Sequence, residues 1–349
     1  MPANTPFTDR PSDIAAIKKR FLAINRERLE RTRSALRDRQ RDFFDLLPLL
    51  FHANHPMLPG FVSKQTPVGV SDYSPSKRTL EVAKRHVRSF DYKRRALPTY
   101  DIHAIYVMGS IGTIAYSDKS DFDIWVVHRS GITDALRDEL RHKVREIEKL
   151  AGQLDLEVHF FLMDTGTFID GSHDDLSRES SGTAQHCLLL EEFYRTGLLI
   201  AGRYPAWWLV PPDEEVRYDD YVRDLRRRRF IRDDECVDFG GVPTIPAEEF
   251  FGAALWQLSK GIDSPYKSVL KLMLMEIYAH EHPRVDLLCS RFKRDIYRGE
   301  TNLNNLDPYL ALYRRIEDYL TELGDAPRLE LVRRCFYFKV NERLSTPDN

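Results

Sequence analysis

The sequence predicts an α+β fold, with a small mixed sheet backed by helices and helical segments on either side of it. Three observations carry this reading. Helical periodicity dominates before about residue 95 and after about residue 200. Three β-rich runs crowd the middle of the chain, at Ile102 to Met108, Phe122 to Val127 and Leu154 to Met163. A helical pattern from about Thr133 to Leu150 separates the last two, and the order strand, strand, helix, strand places chemistry on strand ends and adjoining loops. The expected division is an N-terminal helical segment over 1–95, a sheet domain over 96–200 and a helical domain over 201–349.

In order along the chain, Ile14, Ile17, Phe21, Ile24, Phe43, Phe44 and Leu47 recur at helical spacing from Ser12 to about His52, with Ser12 or Asp13 able to cap the start. Pro56, Pro59, Pro67 and Pro75, with Gly60 and Gly69, break that pattern and mark a crossing loop. A helix from about Ser76 to Lys93 leads into the strands. Asp164 to Gly182 reads as a polar loop. Further helices are expected over Thr183 to Ile200, Tyr218 to Phe230, Ala247 to Lys260, Pro265 to His280, Pro308 to Leu323 and Leu329 to Leu344.

Composition excludes several functions. The 349 residues carry 52 basic and 54 acidic side chains, so no global field gathers nucleic acid or an anionic membrane. Cys187, Cys236, Cys289 and Cys335 lack the spacing of a zinc site or redox dithiol and read as reduced, buried thiols. No run approaches the roughly 20 apolar residues that span a bilayer, and no signal segment opens the chain; a cytoplasmic protein is expected. The Arg226 to Arg229 run fits a solvated helix face better than a phosphate patch. Trp207, Trp208, Trp256, Met273 and Met275 read as packing residues, and His128 and His159 as structural ones.

The informative stretch runs from Val107 to Val127, where one strand ends in Gly109-Ser110 and the next opens with Asp121-Phe122-Asp123. Gly109 lets backbone approach a ligand, and Ser110 can offer its hydroxyl and amide to a phosphate at the turn. Residues two apart on a strand share a face at roughly 6.5 Å, so Asp121 and Asp123 can converge on a divalent cation while Phe122 and Ile124 enter the core. Two carboxylates so close repel each other unless a cation lies between them, and hard oxygen ligands select Mg²⁺, with Mn²⁺ as the alternative. A third carboxylate is expected from the next strand, where Asp155, Glu157 and His159 alternate with Leu154, Leu156 and Val158. Glu157 is the preferred member, Asp155 the other.

Together these residues resemble the nucleotidyltransferase superfamily typified by DNA polymerase beta, whose signature is a Gly-Ser turn, an acid-x-acid pair and a later acidic strand. More narrowly, Tyr106 to Val127, Gly182 to Thr196, Tyr218 to Tyr221, Asp263 to Lys271 and Leu331 to Tyr337 resemble the class I adenylate cyclases of gamma-proteobacteria. The resemblance implies a polymerase beta-like palm over 96–200 and conversion of ATP to cyclic AMP and pyrophosphate. It also implies that Asp121, Asp123 and Glu157 hold two magnesium ions. For the triphosphate it points to Gly109 and Ser110, with Ser264, Tyr266 and Lys267 reaching across from the helical domain and Lys271 a weaker candidate. Members of the family are usually longer. Their C-terminal regulatory half is expected to be missing after Asn349, so its partners are not expected to bind this chain.

Plainer readings accompany these. Ser264 with Pro265 equally fits a helix cap and first-turn proline. Gln185 and His186 could contact base or phosphate, or simply be a structurally hydrogen-bonded pair. Two rival functions also remain open here: transfer of a nucleoside monophosphate to another acceptor, and a silent nucleotide-binding module that keeps the fold.

Overall fold

A computed structural model gives the fold and describes residues 11–92, 99–169 and 185–340. The expected helical stretch to His52 is two helices, α1 (Pro11–Ala35) and α2 (Asp38–His52), followed after the proline-rich crossing by α3 (Lys77–His86). Because α1 already includes Pro11, Ser12 and Asp13 lie inside its first turn instead of capping it. Lys93, the expected end of the third helix, lies outside the described residues, as do Gly182, Thr183 and the end of the C-terminal helix at Leu344.

The sheet holds four strands in the order β3-β2-β1-β4. β1 (Ile102–Met108) runs antiparallel to β2 (Phe122–His128), which pairs in parallel with β3 (Val158–Met163) after the crossing helix α4 (Asp134–Gly152). The third strand therefore begins four residues later than Leu154. Asp155 occupies a left-handed turn at φ 55° that ends the run from α4, and its exposed carboxylate pairs with Arg37 at 3.7 Å. It does not share a strand face with Glu157.

The short helix α5 (Thr165–Ile169) follows β3, and α6 (His186–Thr196) precedes β4 (Leu198–Gly202). The expected helix to Ile200 is corrected here. At Gly197 a Cβ would meet the Phe193 carbonyl at 2.6 Å, and the Leu198-Leu-Ile-Ala run beyond it pairs antiparallel with β1. Residues Tyr204–Pro205 and Cys236–Val237 form a two-stranded parallel ribbon, β5 and β6, on either side of α7 (Tyr218–Arg227). The remaining chain is helical: α8 (Ala247–Lys260), α9 (Pro265–Glu281), α10 (Leu288–Tyr297), α11 (Pro308–Glu322) and α12 (Ala326–Val340). Of these, α10 had no counterpart in the sequence reading.

Alternation along the strands buries both faces of the sheet. Ile105, Val107, Phe122, Ile124 and Val126 join Phe43, Phe44, Leu140 and Ile147 of the N-terminal helices and α4. Tyr106, Met108, Trp125, Val127 and Phe161 pack with α6 and the C-terminal helices. Trp125 and Phe193 stack at 4.5 Å between ring centroids, fixing α6 against the second face. Asp123 is two residues before Trp125, so its side chain belongs to that helical side of the sheet.

Other expectations hold. Trp208 stacks on Phe21 at 5.1 Å and Trp207 on Tyr194 at 4.3 Å, as packing residues do. The arginine run is solvated and paired: Arg226 bonds Asp238 at 3.1 Å, and Arg227 and Arg228 both reach Asp224. All four cysteines are buried and free. No helix among the described residues is long and apolar enough to cross a membrane.

Candidate active site

The loop after β1 is built by glycine conformation and four ties. Gly109 sits at φ 91°, where a side chain is strained, and a Cβ there would meet nothing within 4 Å, so the space beside it is open. Its amide donates to Thr196 Oγ1 at 3.3 Å, tying the turn to the end of α6. Ser110 is buried, and its hydroxyl donates to Ser120 Oγ at 2.9 Å, closing the loop on itself. From α1, the Arg28 guanidinium donates to the carbonyls of Gly112 (3.5 Å) and Thr196 (3.1 Å). Burial lowers Arg28 to about 10, still charged at neutral pH. From the helical side, Asp307 accepts the Ile114 amide at 2.8 Å, pairs with Arg31 at 3.1 Å and caps α11 through Tyr309 and Leu310.

The loop delivers the chain to Asp121 and Asp123 at the start of β2. Asp123 lies opposite Met108 on one side and His159 on the other. Burial, then the charge of Asp121, raises the Asp123 carboxyl to about 6, against the pull of Lys267 and His159. The Tyr309 oxygen, Asp121, Glu192 and Asp123 hold the Lys267 ammonium charged, above the usual lysine range, despite burial. Lys267 is on the first turn of α9, so the helical layer meets the acidic pair with a cation. One turn along, Lys271 bonds Glu192 of α6 at 2.9 and 3.0 Å. Burial would raise Glu192, yet Lys271, Arg195 and Lys267 together bring it down to about 2. Lys339 of α12 completes the basic rim: burial and the nearby Lys267 charge lower it to about 8, while Asp121 opposes the shift.

The predicted residues fall into two groups. Asp121, Asp123, Lys267 and Lys271 converge where the sheet meets α9. Glu157 precedes β3, is exposed, and its backbone carbonyl accepts the Phe122 amide at 2.8 Å. Its carboxylate bonds His159 Nε2 at 3.2 Å. Among the described residues no three His, Cys, Asp or Glu side chains are drawn together as a metal cage. Ser264 is exposed before α9 and makes no side-chain cap bond, and Tyr266 faces outward, stacked on Phe338 at 5.0 Å. Sequence reasoning missed Glu192, Lys339, Arg28 and Asp307. A buried-charge reading of the Leu190-Glu-Glu-Phe193 segment, which has two acids inside an apolar helix, could have found Glu192.

The donor chemistry fits a hard divalent cation at Asp121 and Asp123: two carboxylates meet at the start of β2, and burial with the nearby Asp121 charge raises the Asp123 carboxyl in the absence of one.

The family model described as the adenylate cyclase NT domain matches residues 13–208, and that described as the class-I adenylate cyclase second domain matches residues 245–349. The chain is 40% identical over 338 residues to the adenylate cyclase of Salmonella typhimurium strain LT2, covering 95% of this chain and 39% of that protein. It is 40% identical over 339 residues to the adenylate cyclase of Escherichia coli K12, with the same coverage of each. With the adenylate cyclase of Proteus mirabilis it is 41% identical over 342 residues, covering 96% of this chain and 39% of the relative. The chain thus spans about two fifths of the length of these curated relatives. No solved structure matches it.

Proposed function

This chain belongs to the class I adenylate cyclase family, and we propose that it converts ATP into 3′,5′-cyclic AMP and pyrophosphate on a polymerase beta-like nucleotidyltransferase palm. The observation that supports the reading best is the part-buried Asp123 beside Asp121, faced by Lys267. An acidic pair with a cationic rim is what a magnesium-bound triphosphate complements.

In this reading Asp121 and Asp123 hold Mg²⁺ or Mn²⁺, with Glu157 as a further ligand once it leaves His159. The metal, when bound, supplies neutralisation of charge on the phosphates and activation of the ribose hydroxyl. Lys267 and Lys339, with Lys271 behind them, offset the negative charge that grows on the leaving pyrophosphate. Gly109 leaves room for the triphosphate, and since the Ser110 hydroxyl is committed to Ser120, the Ser110 contribution falls to its backbone amide. Ser264 and Tyr266 stand at the start of α9 as outer contacts.

The chemistry is one displacement. The 3′ oxygen bonds the α-phosphorus, the bond from that phosphorus to the bridging β-oxygen breaks, and pyrophosphate leaves with the electron pair. The 3′ proton passes to one of the carboxylates of the site. No protein nucleophile is needed, because alignment of an intramolecular attack does the work. Buried, free cysteines and an ATP substrate agree with a cytoplasmic setting.

The test incubates the purified chain with ATP and Mg²⁺ or Mn²⁺, with and without chelator, and separates the products. Metal-dependent cyclic AMP and pyrophosphate are expected. ATP consumption that depends on an added acceptor would replace the cyclase reading with a transferase one.

A further inference from the structure

We propose that the cleft between α6, α8 and α9 is a purine-base pocket, and that the side-chain amides of Gln185 and Gln257 read the edge of the base. The inference rests on the ATP-binding reading above and deepens it by naming what holds the base.

The cleft holds a cavity of about 70 Å³ that opens to solvent at its mouth. Leu188, Leu189, Leu274 and Met275 supply apolar walls, which suit the faces of a flat heteroaromatic ring. One end is charged: Glu192 and Lys271 line it, and the Glu192 charge acts on both Asp123 and Lys267. That end adjoins the acidic pair, where the triphosphate would lie. The lining also carries the buried Glu191–Arg195 ion pair and two neutral amides, Gln185 just before α6 and Gln257 on α8, which enter the cleft from different walls.

Helix geometry sets the scale. From Glu192 back to Gln185 is seven residues of α6, roughly 10 Å along the axis, the span of a ribose with its base. The Gln185 Nε2 group is buried with no hydrogen-bond partner among the described residues. A buried amide donor left unpaired costs about 1–3 kcal/mol, and such groups in a folded protein call for a partner. Adenine supplies one: its ring nitrogens accept, its 6-amino group donates, and a glutamine amide offers both a donor and an acceptor. Charge alone would not distinguish ATP from inorganic tripolyphosphate; the two amides can.

The experiment measures equilibrium binding by calorimetry, with Mg²⁺, for the wild-type chain and its Gln185→Leu and Gln257→Leu variants. Three probes are compared: α,β-methylene ATP, the same compound with purine lacking the 6-amino group as its base, and inorganic tripolyphosphate. The wild type should prefer the adenine compound by about tenfold, the order of one good amide-to-base contact. Each variant should lose most of that preference while binding tripolyphosphate as the wild type does. Full preference retained in both variants, no preference in the wild type, or a parallel fall in tripolyphosphate binding would overturn the pocket. Cyclic AMP formation is followed separately. Turnover with undisturbed base preference in the variants sinks the pocket and leaves the reaction standing. Base preference lost as expected, without turnover, does the reverse.

Discussion

The carboxylate of Asp307, at the start of α11, accepts the backbone amide of Ile114, inside the loop between β1 and β2, at 2.8 Å. One buried side chain thereby fixes the glycine-serine loop to the helical layer that carries Lys267. It also pairs with Arg31 and caps α11, so its loss would remove three interactions together. Asp307→Ala should cost roughly 2–4 kcal/mol, from a lost cap and an unpaired buried amide, and should lower the proposed cyclase activity with it. Asp307→Asn keeps an oxygen for the cap and should cost less. Urea midpoints and initial rates on the three proteins check this. Equal stability for Ala and wild type would show that the clamp contributes nothing.

Asp123→Asn changes charge and leaves volume nearly constant. Because burial already opposes the charged form, removing the charge should leave thermal stability equal or slightly raised. Turnover should fall by roughly 10²–10⁴-fold, the range of a lost general base, and further if the metal no longer binds. Melting curves and product formation are read on the same preparation. Activity within a fewfold of wild type would end the assignment of Asp123.

Which parts of this site could be read from sequence follows from how its residues are brought together. Asp121 and Asp123 were legible because a two-residue strand period places them on one face whatever surrounds them. Lys267 was named through the family resemblance, and Lys271 only as a weaker candidate one turn beyond it in a helix opened by Pro265. Glu192, Lys339, Arg28 and Asp307 reach the site only through packing between segments far apart in the chain, which no local pattern encodes. The fold shows the same division. Strand β4 hides in the sequence because its apolar run continues the helical pattern of α6. Helix α10 hides because Lys293 is fully buried, its ammonium bonding the Val210 carbonyl at 2.9 Å and lying 3.8 Å over the Trp207 ring. A lysine at that position reads as solvent-facing until its partners are known.

Gly109 and Gly112 both have positive φ, at 91° and 68°, but they differ in surroundings. Alanine at 109 meets no atom within 4 Å and bears only the backbone cost, about 1–2 kcal/mol. Its methyl would fill the open space assigned to the triphosphate, so KM for ATP should rise more than stability falls. Alanine at 112 would meet the Arg28 carbonyl at 2.8 Å and Leu198 Cδ1 at 2.9 Å. That substitution should destabilise the protein more strongly, through the clamp and β4. Unfolding midpoints paired with KM for each variant test the contrast. If Gly112→Ala proved the milder for stability, the packing account of the loop would be wrong.

Glu192 gives a pH dependence whose sign follows from its depressed folded-state value of about 2 against an ordinary 4.5. In the folded protein the carboxylate keeps its charge because Lys271, Arg195 and Lys267 surround it, although burial alone would favour protonation. The unfolded chain takes up that proton first. Its contribution to stability is therefore complete above about 4.5 and is lost as pH falls toward 2. Glu192→Gln removes the titrating group and leaves Lys271 without its partner. The stability gap between wild type and this variant should be largest near pH 6 and should narrow steadily as pH drops below 4.5. Urea titrations at pH 6, 4 and 3 measure the gap directly. A gap that stays constant, or widens toward acid, would mean that the Glu192–Lys271 pair does not hold the carboxylate charged, and with it the link between the cleft and the acidic pair would lose its support.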